Sequence, residues 1–375
     1  MWNQVFLVAA CFLFVTSVFS AEEEIKPLAI GSLAPDFDLP GVDDQSHQLA
    51  EYSDAPVLVI IFTCNHCPTA QAYEGRIKKL VTDYKEKGVA IVAISPNHPE
   101  ALRLNEMGYT DVGDSLEECR IRAEDHEFNF PYLYDGETQE TSKKYGPRAT
   151  PHIFIFDKER KLQYEGGFDD SDNPERVKKH YVRDALDALL AGKPIPENNT
   201  PTRGCSIKWA AKRESVKEWM TQVRAEPVTL EKTDAPTFAQ LLKNNSDKLL
   251  MVNFFATWCG PCQIEFPELV TIFRMYRHRK FDFVTLSVDD LTEGPGVERD
   301  VLAFLQDQES SSRNFVVADG NLDAFVEATG RVWMGGIPMT LLIRPGGEIV
   351  YKQLGMIDSL ELRRKIVELL QEEQK

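Results

Sequence analysis

The sequence predicts an α/β protein built twice over: two tandem domains, each a central mixed β-sheet flanked by helices. Three observations carry this. The chain has 375 residues, enough for about two domains with some extra length. Its 43% apolar and 27% charged residues supply material for two globular cores. One order of elements also recurs in both halves: buried strand, Cys-x-x-Cys, helix, strand, helix, proline, hairpin, helix. The net charge of −17 repels a phosphate backbone, so no nucleic-acid partner is expected.

Residues 1–20 read as a secretory signal peptide. They carry no charged side chain, and Val18 and Ser20 precede a plausible cleavage point before Ala21. This predicts export to a periplasmic or secreted location. The absence of Lys and Arg at the start leaves an uncleaved membrane anchor as the rival reading. The first domain covers residues 27–206. It opens on a Pro-rich extended stretch, followed by a continuous apolar run at 57–62 that marks a buried strand. A helix to about residue 84, a strand at 89–95, a helix at 115–127, a hairpin of 153–156 with 162–168 and a helix at 175–190 follow. Residues 192–206 have linker composition, dense in Pro, Gly and Asn. Residues 207–227 are a linker or connecting helix. The second domain, 228–375, repeats the order with a strand at 248–255, a helix at 263–278, a strand at 281–288 and a helix at 297–307. A hairpin of 340–343 with 349–354 and an amphipathic helix at 359–372 close it.

The cysteines carry the chemistry. Cys11 lies in the leader, and four of the other six form two Cys-x-x-Cys pairs, Cys64 with Cys67 and Cys259 with Cys262. In this reading the first Cys of each pair ends a buried strand and opens a helix. The helix N-terminus presents unpaired N–H groups and a partial positive charge that hold a thiolate. The thiolate is the species that attacks a disulfide. Cys64 and Cys259 are therefore the expected exposed nucleophiles, and Cys67 and Cys262 the more buried resolving thiols. His66 puts an imidazole beside Cys67, where it would stabilise the Cys64 thiolate. Cys119 and Cys205 stay open: they pair as a structural bridge, or Cys205 approaches the first site as a third redox thiol. Zinc would need the two pairs to converge, but each sits far from the other in its own strand–helix setting. Haem attachment would need His after the second Cys, where Pro68 and Gln263 stand. No metal and no cofactor are expected. A static disulfide is the plain alternative at either pair.

The run Val252-Asn253-Phe254-Phe255-Ala256-Thr257-Trp258-Cys259-Gly260-Pro261-Cys262 resembles the thioredoxin superfamily, in particular exported thiol–disulfide oxidoreductases of the TlpA/ResA type. The likeness covers residues 228–375. It implies that Glu265, in Glu265-Phe266-Pro267, assists proton transfer. It also implies that Ile337-Pro338 forms a cis bond exposing the backbone of Ile337 to a substrate chain, with Trp258 as a further substrate contact. Asn253 stands where thioredoxin itself has a buried Asp. The first domain resembles a redoxin (AhpC/TSA-related) thioredoxin-like family, through Ala34-Pro35-Asp36-Phe37, Cys64-Asn65-His66-Cys67-Pro68, Phe130-Pro131-Tyr132 and Gly204-Cys205-Ser206-Ile207-Lys208-Trp209. There Thr150-Pro151 takes the cis-proline place. Peroxiredoxins set their Cys in Pro-x-x-x-Thr-x-x-Cys, a frame that Cys64 lacks. Two thioredoxin-like domains thus imply an exported oxidoreductase exchanging dithiol and disulfide with protein substrates, recharged by a membrane-linked or other thiol redox partner. The rivals are a thiol peroxidase whose first domain is recycled by the second, and a non-catalytic binding or scaffold protein using the same folds.

Overall fold

The structure, a computed structural model, describes residues 25–372. The predicted leader, residues 1–20 with Cys11, lies outside the described residues. Among the described residues no helix is long and apolar enough to cross a membrane.

The N-terminal half begins with a small hairpin, β1 (Asp38–Pro40) and β2 (Ser46–Gln48), and continues with β3 (Val57–Phe62), α1 (Pro68–Tyr84) and β4 (Val89–Ser95). Next come α2 (Leu116–Asp125), β5 (Tyr132–Tyr134), α3 (Glu140–Tyr145), β6 (Ala149–Thr150), β7 (His152–Phe156), β8 (Leu162–Gly166), α4 (Tyr181–Leu190) and β9 (Cys205–Ser206). The five-stranded sheet has the order β5-β4-β3-β7-β8, parallel through β5-β4-β3 and antiparallel beyond. The central strand β3 is buried on both faces, as its unbroken apolar run requires. Val57, Val59 and Ile61 pack with α1 and α4 through Ile77, Leu80, Val182 and Leu186. Leu58, Ile60 and Phe62 face the other way, toward Phe37 and Tyr145. The closing helix is shorter than the expected 175–190. Asn173 caps a 3-10 turn at Pro174–Arg176, and the regular helix starts only at Tyr181.

The connecting helix α5 (Arg213–Arg224) leads to β10 (Glu231–Thr233), α6 (Ala235–Leu242), β11 (Leu249–Phe255), α7 (Gly260–Tyr276) and β12 (Phe281–Ser287). The chain ends with α8 (Val297–Asp307), β13 (Arg313–Val317), α9 (Leu322–Ala328), β14 (Met339–Ile343), β15 (Ile349–Leu354) and α10 (Ser359–Glu372). The six-stranded sheet runs β10-β13-β12-β11-β14-β15, parallel up to β11 and antiparallel after it. Both halves therefore share one plan, with the central strand feeding the helix that follows the cysteines and a cis X–Pro bond leading into the hairpin. Those bonds are Thr150–Pro151 and Ile337–Pro338.

The two halves also share a core. Leu102 and Met107 of the N-terminal half pack with Leu249, Leu269, Met275 and Tyr276 of the C-terminal half. Tyr276 donates its hydroxyl to the Thr110 carbonyl at 2.8 Å, and Arg279 reaches the Gly108 carbonyl at 2.5 Å. The Tyr276 end of α7 thus abuts the loop around residue 110. At 1.5 Å per residue, α7's 17 residues put Cys259 about 25 Å from that contact.

Candidate active sites

In the C-terminal half, Cys259 is the N-cap of α7, and its sulfur accepts the Cys262 N–H at 3.3 Å. The two sulfurs form a disulfide. Cys262 is fully buried and Cys259, at 6% exposure, is buried too rather than exposed as expected, covered by its disulfide to Cys262 and the surrounding core, while the preceding Trp258 is 70% exposed. The strand-to-helix turn is pinned by Asp289, which accepts the Thr257 N–H at 3.0 Å and the Thr257 hydroxyl at 2.6 Å. Ile337 precedes cis-Pro338, and among the described residues no strand pairs with its backbone. Exposed Met334 and Leu354 add apolar surface near it, Leu354 lying against Gly336.

Glu265 lies one turn beyond Cys262 on the same face of α7. It is buried, and burial pushes its carboxyl above the usual range despite the Ile357 N–H and the Asn253 amide. Asn253 donates to Glu265 Oε1 at 3.0 Å and to Thr340 Oγ1 at 3.0 Å, while its own Oδ1 is buried without a partner. Asn253 thus supplies a hydrogen bond that holds the buried Glu265 carboxyl one helical turn beyond Cys262.

The N-terminal half departs from expectation at its cysteines. Helix α1 begins at Pro68 and its N-cap is Cys67, not Cys64. The sheet register agrees. Phe62 pairs with His152, just after cis-Pro151, and Phe254 pairs with Met339, just after cis-Pro338. Five residues beyond Phe62 and Phe254 stand Cys67 and Cys259. Cys67 is therefore the positional equivalent of Cys259, and Ala70 stands where Cys262 would be. The expectation that Cys64 opens the helix as an exposed nucleophile is corrected. Cys64 is 2% exposed and Cys67 is fully buried.

Electrostatics follow the helix start. Hydrogen bonds from the Cys205 and Cys64 thiols outweigh burial and, with the Ala70 and Cys205 backbone N–H groups, hold Cys67 far below the ordinary thiol range. Burial, the Cys67 sulfur and the Asp114 charge push Cys64 up. Cys64 Sγ lies 2.9 Å from the Thr150 hydroxyl, and Cys67 Sγ lies 3.3 Å from the Thr150 carbonyl. Thr150, the residue before cis-Pro151, thus lies against both thiols.

His66 is held by a residue that sequence reasoning missed. Its Nδ1 lies 2.5 Å from Asp114 Oδ2, with both side chains buried. Burial lowers the imidazole, but the Asp114 charge and hydrogen bond outweigh it and the net shift is upward. Burial raises Asp114, but His66 and the amides of Asn97 and Asn65 bring it below the carboxylate range. Asp114 accepts the backbone N–H of Asn65 at 2.8 Å, as Asp289 does for the equivalent Thr257. Cys64, His66 and Asp114 have ligand-type atoms within 4.8 Å of one another. Asp114 already accepts from Asn65, His66 and Asn97, so a metal would have to displace that set. Cys119 is buried beside Asn65 and Asp114, and burial raises its thiol to about 12. Cys205 instead borders Cys67, its N–H donating to Cys67 Sγ at 3.2 Å.

Comparison with known proteins follows the same division. The AhpC/TSA family matches residues 30–165, and the thioredoxin family matches residues 228–299. The chain belongs to the thioredoxin superfamily. Over 108 residues the chain is 31% identical to the thiol-disulfide oxidoreductase ResA of Oceanobacillus iheyensis, covering 29% of this chain and 50% of that one. An uncharacterized conserved protein from Geobacillus kaustophilus is 41% identical over 48% of this chain and 92% of its own, with a TM-score of 0.43. A hypothetical protein from Sinorhizobium meliloti is 35% identical over 50% of this chain and 97% of its own, with a TM-score of 0.44. The chain spans less than two thirds of the length of these curated relatives, 52% of an Ictalurus punctatus thioredoxin among them.

Proposed function

We propose that the chain is an exported thiol–disulfide oxidoreductase acting on protein substrates through Cys259 and Cys262, with a second thiol centre built on Cys67. The observation that carries this reading is the Cys259–Cys262 disulfide at the start of α7, beside an unpaired backbone edge at Ile337 and exposed Trp258, Met334 and Leu354. An extended substrate would add as a strand at Ile337 and rest on the apolar rim. In the reduced protein the Cys259 thiolate attacks a substrate disulfide and expels one substrate thiolate. Cys262 then attacks the mixed disulfide, its proton passing to Glu265, and the second substrate thiol leaves. Two electrons move to the substrate, and the Cys259–Cys262 bond closes.

Export rests on the leader read in residues 1–20. A membrane-linked or other thiol partner restores the dithiol. Insulin-disulfide reduction by the full chain tests the reading. Cys259→Ser should abolish turnover, and an unchanged rate would refute it.

A peroxidase reading draws on the AhpC/TSA match and the depressed Cys67 thiol. With Cys67 as reference, however, Ile60 and Cys64 stand where the peroxiredoxin frame has Pro and Thr. Stopped-flow mixing with hydrogen peroxide separates the two, since rapid oxidation of Cys67 would favour the peroxidase.

A further inference from the structure

We propose that the strand carrying Cys205 is a built-in substrate of the N-terminal centre: it fills the peptide-docking edge beside cis-Pro151 and forms a Cys67–Cys205 disulfide that is exchanged with an external protein thiol at Cys205. The proposal rests on the thiol-exchange reading above and adds a route in and out of a centre that is otherwise sealed.

Geometry gives the first support. In the C-terminal half the backbone before the cis-proline is unpaired, whereas in the N-terminal half it is taken. Thr150 pairs with Cys205 and Ala149 with Ser206, antiparallel. That is the placement a bound substrate strand would adopt. Gly204 makes the approach feasible. Its φ is +144°, and a Cβ there would lie 1.9 Å from the Thr150 carbonyl oxygen, so any other residue would force the strand away.

The second support is how firmly the strand is tethered. Ile207 is buried, and Lys208 is clasped by Asn97, which accepts its N–H at 2.8 Å, and by His98, whose N–H donates to its carbonyl at 2.9 Å. Gln139 adds a bond to the Lys208 carbonyl at 3.0 Å and accepts the Ala210 N–H at 2.8 Å. Downstream of Cys205 the chain is thus locked to the domain, as an internal substrate must be and a passing linker need not be.

Third, the sulfurs are graded by access. Cys64 and Cys67 are sealed, and of the three only Cys205 is partly open. Its N–H already donates to Cys67 Sγ. The hydrogen bond to the Cys67 sulfur, and then burial, raise the Cys205 thiol, which leaves Cys67 the more acidic sulfur of the two.

The chemistry balances without any other reactant than a partner dithiol. A partner thiolate attacks Cys205 Sγ in the Cys67–Cys205 disulfide, and Cys67 leaves as the stable thiolate, the better leaving group. The partner's second thiol, losing its proton, attacks the partner sulfur of the mixed disulfide. Cys205 departs and is protonated. Two electrons have passed from the partner to the centre, and the partner is left as a disulfide. A partner disulfide drives the same steps in reverse.

The test is a disulfide map of the full chain and its Cys64→Ser variant, oxidised with glutathione disulfide, alkylated and digested without reductant. A peptide linking Cys67 to Cys205 as the main product in both is expected. Finding Cys64 joined to Cys67 in the wild type with no Cys67–Cys205 link in either protein, or no link among these three, overturns the proposal. A second measurement addresses the docking edge. Gly204→Val should release the strand and raise Cys67 alkylation by about tenfold through access alone, while an unchanged rate overturns the claim that the strand covers that edge. Both readouts are independent of insulin turnover, so failure here leaves the Cys259 reading standing and failure there leaves this one.

Discussion

Replacing Asp114 by Asn removes the charge that raises the His66 imidazole in a buried pocket. The two side chains are 1% and 0% exposed, so solvent screens almost nothing. Breaking one partner of such a buried pair costs about 3–5 kcal/mol, because the other charge is left uncompensated. For a domain of this size that is roughly 6–20 °C of melting midpoint. The sign with pH follows from the shifts. His66 is raised in the folded chain, so its contribution is complete below the unfolded value of ~6.5 and is lost as pH climbs through its folded value. Asp114 is lowered, so its contribution is complete above ~3.9 and is lost as pH falls through its folded value. The pair therefore stabilises most between about pH 4 and 6.5. Urea unfolding of wild type and Asp114→Asn, repeated from about pH 4 to 9, with imidazole NMR titration of His66, measures both effects. The variant should lose stability within that window and its His66 should titrate below the ordinary histidine value, since burial and the Lys208 charge then outweigh the smaller upward pull of Cys67. A cost under about 1 kcal/mol, the level of an exposed pair, with an unmoved His66 titration would refute the ion pair.

Other outcomes follow from the same geometry. Glu265→Gln should lower insulin turnover by at least about tenfold, since a positioned acid–base group contributes that much or more. The folded Glu265 carboxyl is raised, so its ionised form opposes folding at high pH, and the Gln variant should be no less stable than wild type at about pH 8. Unfolding at that pH checks the sign. Trp258→Ala should lower kcat/KM for insulin by several-fold, about 1–2 kcal/mol of lost aromatic contact, while leaving reduction of a small disulfide such as glutathione disulfide nearly unchanged. Equal losses on both would place Trp258 in the chemistry rather than in substrate docking.

The sequence was most legible where local rules and tertiary context agree. The runs at 57–62 and 248–255 mark buried central strands because both faces are covered, and the structure buries every residue of β3 and of β11, which begins at Leu249 after the exposed Lys248. The Cys-x-x-Cys spacing misled in the N-terminal half because it was read ahead of the helix signal. Pro68, fixed in φ and lacking an N–H, is favoured at the first helical position, and that preference makes Cys67 the cap. Asp114 and Asp289 left no periodic trace. Each acts through loop and strand-end contacts that only the fold brings together. The short strands Tyr132–Tyr134 and Arg313–Val317 escaped notice because a few residues give too little pattern. The environment of Cys205 depends on pairing across the chain, and spacing alone leaves connectivity open.

The central claim is that the sulfur capping the helix, not the first in the motif, carries the anion. Ultraviolet thiolate absorbance titrated on the full chain, with Cys259 and Cys262 replaced by Ser, tests it directly. We expect one thiolate persisting well below the ordinary thiol range that disappears in Cys67→Ser and survives in Cys64→Ser. Persistence of that thiolate in Cys67→Ser with its loss in Cys64→Ser would contradict the account.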